Sequence, residues 1–206
     1  DLSAALQGRK HLLINEWEQN PAGSDAGREW IEVYNPTGQA VDIGGWKLQG
    51  CQSTSPGTAG TRVTVGGGVV LAPGQRFLFT NGALPGYSGS VTGDATYTTG
   101  IADFAATGYS GIQLVDRASV KQDGVGSPLS PCREGTGLVT PIGNGPSNAY
   151  ARSRDTDDNA TDFAGPQASD PHNSGGVVAV CPNDGVRIFA IQGYGHVSPL
   201  NGQCVV

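Results

Sequence analysis

Leu12-Leu13-Ile14-Asn15-Glu16-Trp17-Glu18 and, a short polar gap later, Arg28-Glu29-Trp30-Ile31-Glu32-Val33-Tyr34 decide the fold. In the second run Ile31 and Val33 fall on one side of a pleat and Trp30, Glu32 and Tyr34 on the other, the period-two signature of a strand. Asn35-Pro36-Thr37-Gly38 then supplies turn chemistry, because proline fixes φ and glycine accepts the positive φ of a tight turn. Two short strands and a turn at the start of the chain predict a β domain rather than a helical one.

The same rhythm continues outward. Ala40–Ile43 is a short strand broken by Gly44-Gly45, and Trp46–Gln49 follows with Trp46 and Leu48 on one face. Arg62–Val65, Val69–Leu71 and Arg76–Thr80 come next, the last with Phe77 and Phe79 facing together. Gly111–Asp116 and Ala118–Val125 form a hairpin around Asp116-Arg117. Ile101–Thr107 is the one internal helical turn expected, and residues 126–148 read as a long Gly/Pro/Ser-rich loop pinned at Cys132. Strands of this length between Gly, Pro and Asn predict a sandwich or barrel.

Composition narrows the class. The 206 residues include 33 glycines and 13 prolines, carry 15% charged side chains and have a net charge of -6. That charge is too mild for a chain kept unfolded by low hydropathy and self-repulsion. No apolar run approaches the roughly 20 residues that span a bilayer, so no membrane insertion is expected. A pI of about 4.9 argues against a surface built to attract phosphate backbones, and the basic residues form no stripe. A monomer is expected. The chain contains no methionine and opens Asp1-Leu2-Ser3-Ala4-Ala5, without the layout of a signal peptide, as a mature secreted protein or an excised piece would.

Cys51, Cys132, Cys181 and Cys204 form no CxxC pair and sit near no histidine at zinc-site spacing, so two disulfides are expected, with three connectivities open. Cys51–Cys132 with Cys181–Cys204 is favoured, because each bond would then tie one of two segments that differ in character. An oxidising, extracellular setting follows.

Five blocks in order resemble the lamin-tail domain family as found in secreted bacterial proteins. They are Leu13-Ile14-Asn15-Glu16 through Asn20-Pro21 to Glu29-Trp30-Ile31-Glu32-Val33-Tyr34-Asn35; Val41–Leu48; Leu71-Ala72-Pro73-Gly74; Gly111–Asp116; and Tyr150-Ala151-Arg152 with Asp155–Phe163. The resemblance covers residues 11–175 and implies an all-β, immunoglobulin-like β-sandwich with long loops and no catalytic chemistry of its own. Asp170-Pro171-His172-Asn173 stands where the family usually closes with a Pro-Gly and Asn segment. A boundary is expected at Ser174-Gly175-Gly176, leaving residues 176–206 as a short C-terminal extension. Its Val186–Gly193 and Gly195–Gln203 resemble the opening of the OB-like module of secreted nucleases of the endonuclease/exonuclease/phosphatase superfamily. That implies the N-terminal part of a longer nuclease; an extra hairpin closed by Cys181–Cys204 is the plainer alternative.

The chain holds no G-x-S-x-G, H-E-x-x-H or G-x-x-x-x-G-K-[ST] motif, and His11, His172 and His196 sit apart in different contexts. No catalytic residue is expected, and His196 reads as a turn histidine. The sharpest candidate is the acidic loop, where Asp155, Asp157 and Asn159, the carbonyl of Thr161, and Asp162 offer oxygen ligands for Ca²⁺. Against it, Ala160 stands where an EF-type loop has Gly and the terminal Glu is missing; the same side chains would also cap a tight turn, with Arg152 and Arg154 as counter-charges. A second acidic group is Glu16, Asp25, Glu29 and Glu32. If the first two strands pair, Glu16 and Glu32 face one another, which needs a cation, Arg28 or backbone donors between them. Trp17, Trp30 and Trp46 are expected in the core rather than stacked on a sugar. Asn159-Ala160-Thr161 is a glycosylation sequon. The leading functional expectation is a non-catalytic accessory domain that attaches an extracellular protein, a nuclease, to a protein or cell-surface ligand. The rival is a nucleic-acid-binding module that delivers substrate to a downstream catalytic domain.

Overall fold

The computed structural model describes residues 11–19, 21, 27–52, 55–101, 108–138 and 149–175. The expected disulfide Cys181–Cys204, Asp25, His196, most of the helical turn at 101–107 and the extension 176–206 lie outside them.

Among the described residues, twelve strands form three sheets. They are β1 (Leu13–Glu18), β2 (Trp30–Tyr34), β3 (Val41–Asp42), β4 (Lys47–Cys51), β5 (Gly60–Thr64), β6 (Val70–Leu71), β7 (Arg76–Asn81), β8 (Ala95–Tyr97), β9 (Gly111–Val115), β10 (Lys121–Gly126), β11 (Ala149–Arg152) and β12 (Phe163–Gln167). One four-residue helix, α1 (Asn159–Asp162), precedes β12. The large sheet runs β12-β11-β1-β2-β7-β8, the second β10-β9-β4-β5, and β3 pairs with β6 alone. All pairings are antiparallel except β7 with β8. This is the all-β sandwich that the strand rhythm and the family resemblance imply.

The core is built from the inward residues of both large sheets. Ile14, Trp17, Ile31, Val33, Phe77 and Phe79 of the six-stranded sheet meet Leu48, Ile112, Leu114 and Val125 of the four-stranded one. Trp17 anchors the middle, stacked on Tyr150 at 5.5 Å and edge-on to Phe163 at 4.6 Å. Trp46 joins this cluster as expected, whereas Trp30 lies on the far side of the sheet with Leu78 and Ala149.

A β-bulge at Asn15 explains how β1 can serve both faces. Strict alternation would place Glu16 and Glu18 beside Ile14 in the core. The register between β1 and β2 shifts between Ile14 and Glu16, so Trp17 turns inward and Glu16 outward. Strand β2 is buried along its whole length, so its outward Trp30, Glu32 and Tyr34 do not face water. Residues 82–94 and 168–174 cross that outer face and cover it.

The turn after β2 is held by one side chain. Fully buried Asn35 donates to the carbonyls of Gln39 (2.9 Å), Leu71 (2.9 Å) and Ala72 (3.1 Å), and its Oδ1 accepts from the Thr37 amide (3.0 Å) and hydroxyl (2.7 Å). That satisfies the backbone groups of a segment that has no ladder of its own. Cys51 at the end of β4 is bonded to Cys132 beyond β10, 81 residues later. Gly124 makes room for that connection, because a Cβ there would lie 2.0 Å from the Cys132 carbonyl oxygen.

Three strands escaped the sequence pattern: β8, β11 and β12. The second arm of the hairpin starts at Lys121 rather than Ala118, since Ser119 takes a positive φ of 65° in the connecting turn.

Candidate functional site

The acidic loop is organised around a buried arginine. Arg152, on β11, is fully buried and spreads its guanidinium over five acceptors. Nε donates to the Ile14 carbonyl at 2.9 Å; Nη1 meets Asp155 at 3.0 Å and Asp162 at 3.3 Å; Nη2 meets both oxygens of Asp123 at 2.8 and 2.7 Å. Its planar face rests over Phe163, 4.4 Å from the ring centroid. Asp123 also accepts the Ile14 amide within the bulged strand. A buried charge is tolerable only when paired and hydrogen-bonded, and here every strand around the guanidinium contributes.

The side chains expected to converge on Ca²⁺ have different tasks in the structure. Asp162 accepts from the Thr156 amide (2.9 and 3.0 Å) and hydroxyl (2.7 Å) and from the Asp158 amide (3.3 Å), besides Arg152. Asn159 is buried and faces the sandwich, accepting the Gly126 and Glu134 amides (3.2 and 3.0 Å) and donating to the Gly124 carbonyl (2.9 Å). The Thr161 hydroxyl donates to Asp158 at 3.0 Å. Asp155 and the exposed Asp157 come together instead with Glu134, whose carboxylate oxygens lie within 4.8 Å of theirs. Glu134 was not among the expected ligands, because it lies 21 positions before Asp155 and carries no local motif. Burial and the charge of Asp123 raise its carboxyl above the ordinary range. Lys121 Nζ lies 3.9 Å away but makes its short contacts, 2.9 Å each, to the Cys132 and Arg133 carbonyls.

The second acidic group sits on the covered outer face. Glu16 and Glu32 are direct cross-strand partners. Arg28, the expected cation, precedes β2 and is not what meets Glu32; Arg76 on the neighbouring β7 reaches Glu32 at 2.9 Å. The expected backbone donors are present and come from residues 169–174, which lie across the sheet as a strap. Ser169 donates to Glu18 (2.6 Å), the Asp170 amide to Glu16 (3.0 Å) and the His172 amide to Glu32 (2.7 Å). Ser174 closes the strap on Asp94 through its amide (2.9 Å) and hydroxyl (2.6 Å). Burial pushes the Glu16 carboxyl from 4.5 to about 7, opposed by the Asp170 amide and aided by the charge of Glu32. Glu32 is raised as well, chiefly by burial and against the pull of Asn15, His172 and Arg76. Glu29 belongs to neither set and accepts from the Asn81 side chain at 2.6 Å.

The family model for the Lamin Tail Domain matches residues 6–127, from before β1 to the end of β10. No curated protein matches the chain. The buried arginine and the strap both lie beyond the matched stretch, yet each is bonded to strands within it. The match spans the first ten strands and more than half of the chain, so the chain belongs to the lamin tail domain family, whose domain is a non-catalytic, immunoglobulin-like module.

Proposed function

We propose that this chain is a non-catalytic attachment domain of an extracellular protein, placed as the N-terminal part of a secreted nuclease. The observation that carries the reading is a Cys51–Cys132 disulfide on a lamin-tail sandwich. Such bonds persist in oxidising compartments, and a module without chemistry of its own serves its protein by holding or placing it. The polar groups fit that role. Asp123, Asp155 and Asp162 are tied to Arg152, and Glu16, Glu18 and Glu32 to the strap, so these carboxylates hold the fold together. The nuclease association draws its support from the resemblance of Val186–Gln203 to the opening of an OB-like module. A net charge of -6 opposes the alternative of direct nucleic-acid binding.

Sedimentation of the fluorescently labelled chain with intact, washed bacterial cells tests attachment. Retention in the pellet is expected, and a chain left in the supernatant overturns the proposal. In parallel, anisotropy of a labelled DNA duplex at low salt with Ca²⁺ should not rise. A rise that falls away with added salt would instead favour substrate delivery. Generic phosphodiester and ester substrates should show no turnover.

A further inference from the structure

The strap over residues 169–174 lies outside every strand. Its alternate amides nevertheless all point at the large sheet, and each is received by a carboxylate. Asp170 donates to Glu16 (3.0 Å), His172 to Glu32 (2.7 Å) and Ser174 to Asp94 (2.9 Å). An extended chain has this period of two, so acidic side chains stand where a neighbouring strand would offer carbonyls. The hold on the strap therefore depends on the charge of the groups beneath it.

Two of those groups are forced together. Glu16 and Glu32 are opposite one another on β1 and β2, and both are buried. Like charges in direct cross-strand contact repel, and a cover removes the water that would screen them. The surrounding cations compensate Glu32 first. Arg76 on β7 meets it at 2.9 Å, and the half-exposed imidazole of His172, when protonated, adds a cation 3.3 Å away. Glu16 is served less well. Ala151 stands opposite it on β11, Glu18 lies two residues along its own strand, Glu32 and Asp170 add negative charge, and His172 is its weakest neighbour. Burial accordingly lifts the Glu16 carboxyl to about 7, with the Asp170 amide pulling the other way.

We propose that the strap is a pH-operated latch, closed over the outer face in acid and released above neutrality while the sandwich beneath stays folded. A neutral Glu16 no longer opposes Glu32 and still accepts the Asp170 amide through its carbonyl oxygen, so proton binding closes the latch. Release gives both glutamates to water and uncovers the sheet face that carries them. Among the described residues, none of the strap's belongs to the apolar core, so its departure leaves the packing between the sheets intact. The device is independent of what the domain attaches to.

The test is hydrogen exchange of the full chain, read by mass spectrometry between about pH 5 and about pH 8 and corrected for the intrinsic pH dependence of exchange. The fragment covering residues 169–174 should lose protection roughly 10–100-fold over that range, by linkage to a carboxyl that titrates at about 7 when covered and at 4.5 when free. Fragments from β1, β2 and β7 should keep theirs. Glu16→Gln should remove most of the change. In the parent, the carboxyl ¹³C shift of Glu16 should titrate with a midpoint near 7, a reading that needs no variant. Strap protection that stays constant or grows toward pH 8 overturns the latch. So does a loss shared equally by the strands, a full response in Glu16→Gln, or a Glu16 midpoint near 4.5.

Discussion

A single guanidinium shows how far one residue can organise this protein. Arg152 collects Asp123, Asp155, Asp162 and the Ile14 carbonyl, and so links β1, β10, β11 and the loop before β12. Removing one partner of a buried pair strands the others, at about 3–5 kcal/mol. Arg152→Met should therefore lower the melting temperature by about 6–20 °C, because each kcal/mol is worth about 2–4 °C in a domain of this size. Arg152→Lys should recover only part of the loss, since an ammonium cannot bond Asp123 bidentately while reaching Ile14. A melt of the two variants that matches the parent would show the network to be dispensable. The same residue bears on the acidic loop. With Asp162 and Asn159 satisfied by Arg152 and backbone amides, the loop has its positive partners already. The melting temperature is expected to be the same in EDTA and in millimolar Ca²⁺. A rise of several degrees would instead place a cation among Glu134, Asp155 and Asp157, by the stabilisation that any ligand of the folded state brings.

Among the elements, the strap over residues 169–174 is where pH should act. The folded chain holds a proton on Glu16 up to about pH 7, whereas an unfolded chain releases it near 4.5. Stability from this group is thus present below pH 4.5 and lost as pH rises to 7, the sign set by the extra proton bound in the folded state. Glu32 is raised too and adds in the same direction. The chain should melt at a higher temperature at about pH 5 than at about pH 8, and Glu16→Gln should reduce that difference while keeping an acceptor for the Asp170 amide. A melting temperature that climbs toward pH 8 in the parent would reverse this account. The pairing behind it was legible in the sequence, because two adjacent strands with glutamates midway along each must bring them close. The faces of β1 were not, since the bulge at Asn15 inverts the alternation and leaves no mark in the residue types. Strand β8 has three residues and no alternation to read. Strands β11 and β12 flank a motif whose acids suggested a cation. The spacing of carboxylates along a chain does not reveal that an arginine three positions away is buried beneath them, a rare place for that side chain.

Across the whole molecule, two kinds of long-range tie hold a chain with modest apolar content together. Of the polar ties, Arg152 joins β11 of the large sheet to β10 of the smaller one, the strap fastens residues 169–174 to the large sheet, and the covalent tie fastens the end of β4 to the segment beyond β10. Cys51–Cys132 closes a span of 81 residues that contains β5 through β10, so in the unfolded chain it suppresses a large share of the conformations. Loop-closure entropy sets an upper value of about 4.5 kcal/mol for a loop of this length, and about 2–4 kcal/mol is the common range. Both cysteines are fully buried, and Gly111 and Gly124 carry no side chain against Cys132. Cys51→Ser with Cys132→Ser should therefore fold to the same sandwich, with the same circular dichroism, but melt about 5–15 °C lower. Dithiothreitol added to the parent should reproduce the shift and leave the double variant unmoved. Equal melting of parent and double variant would mean that the core and the polar ties suffice, and would remove the main structural support for an extracellular home.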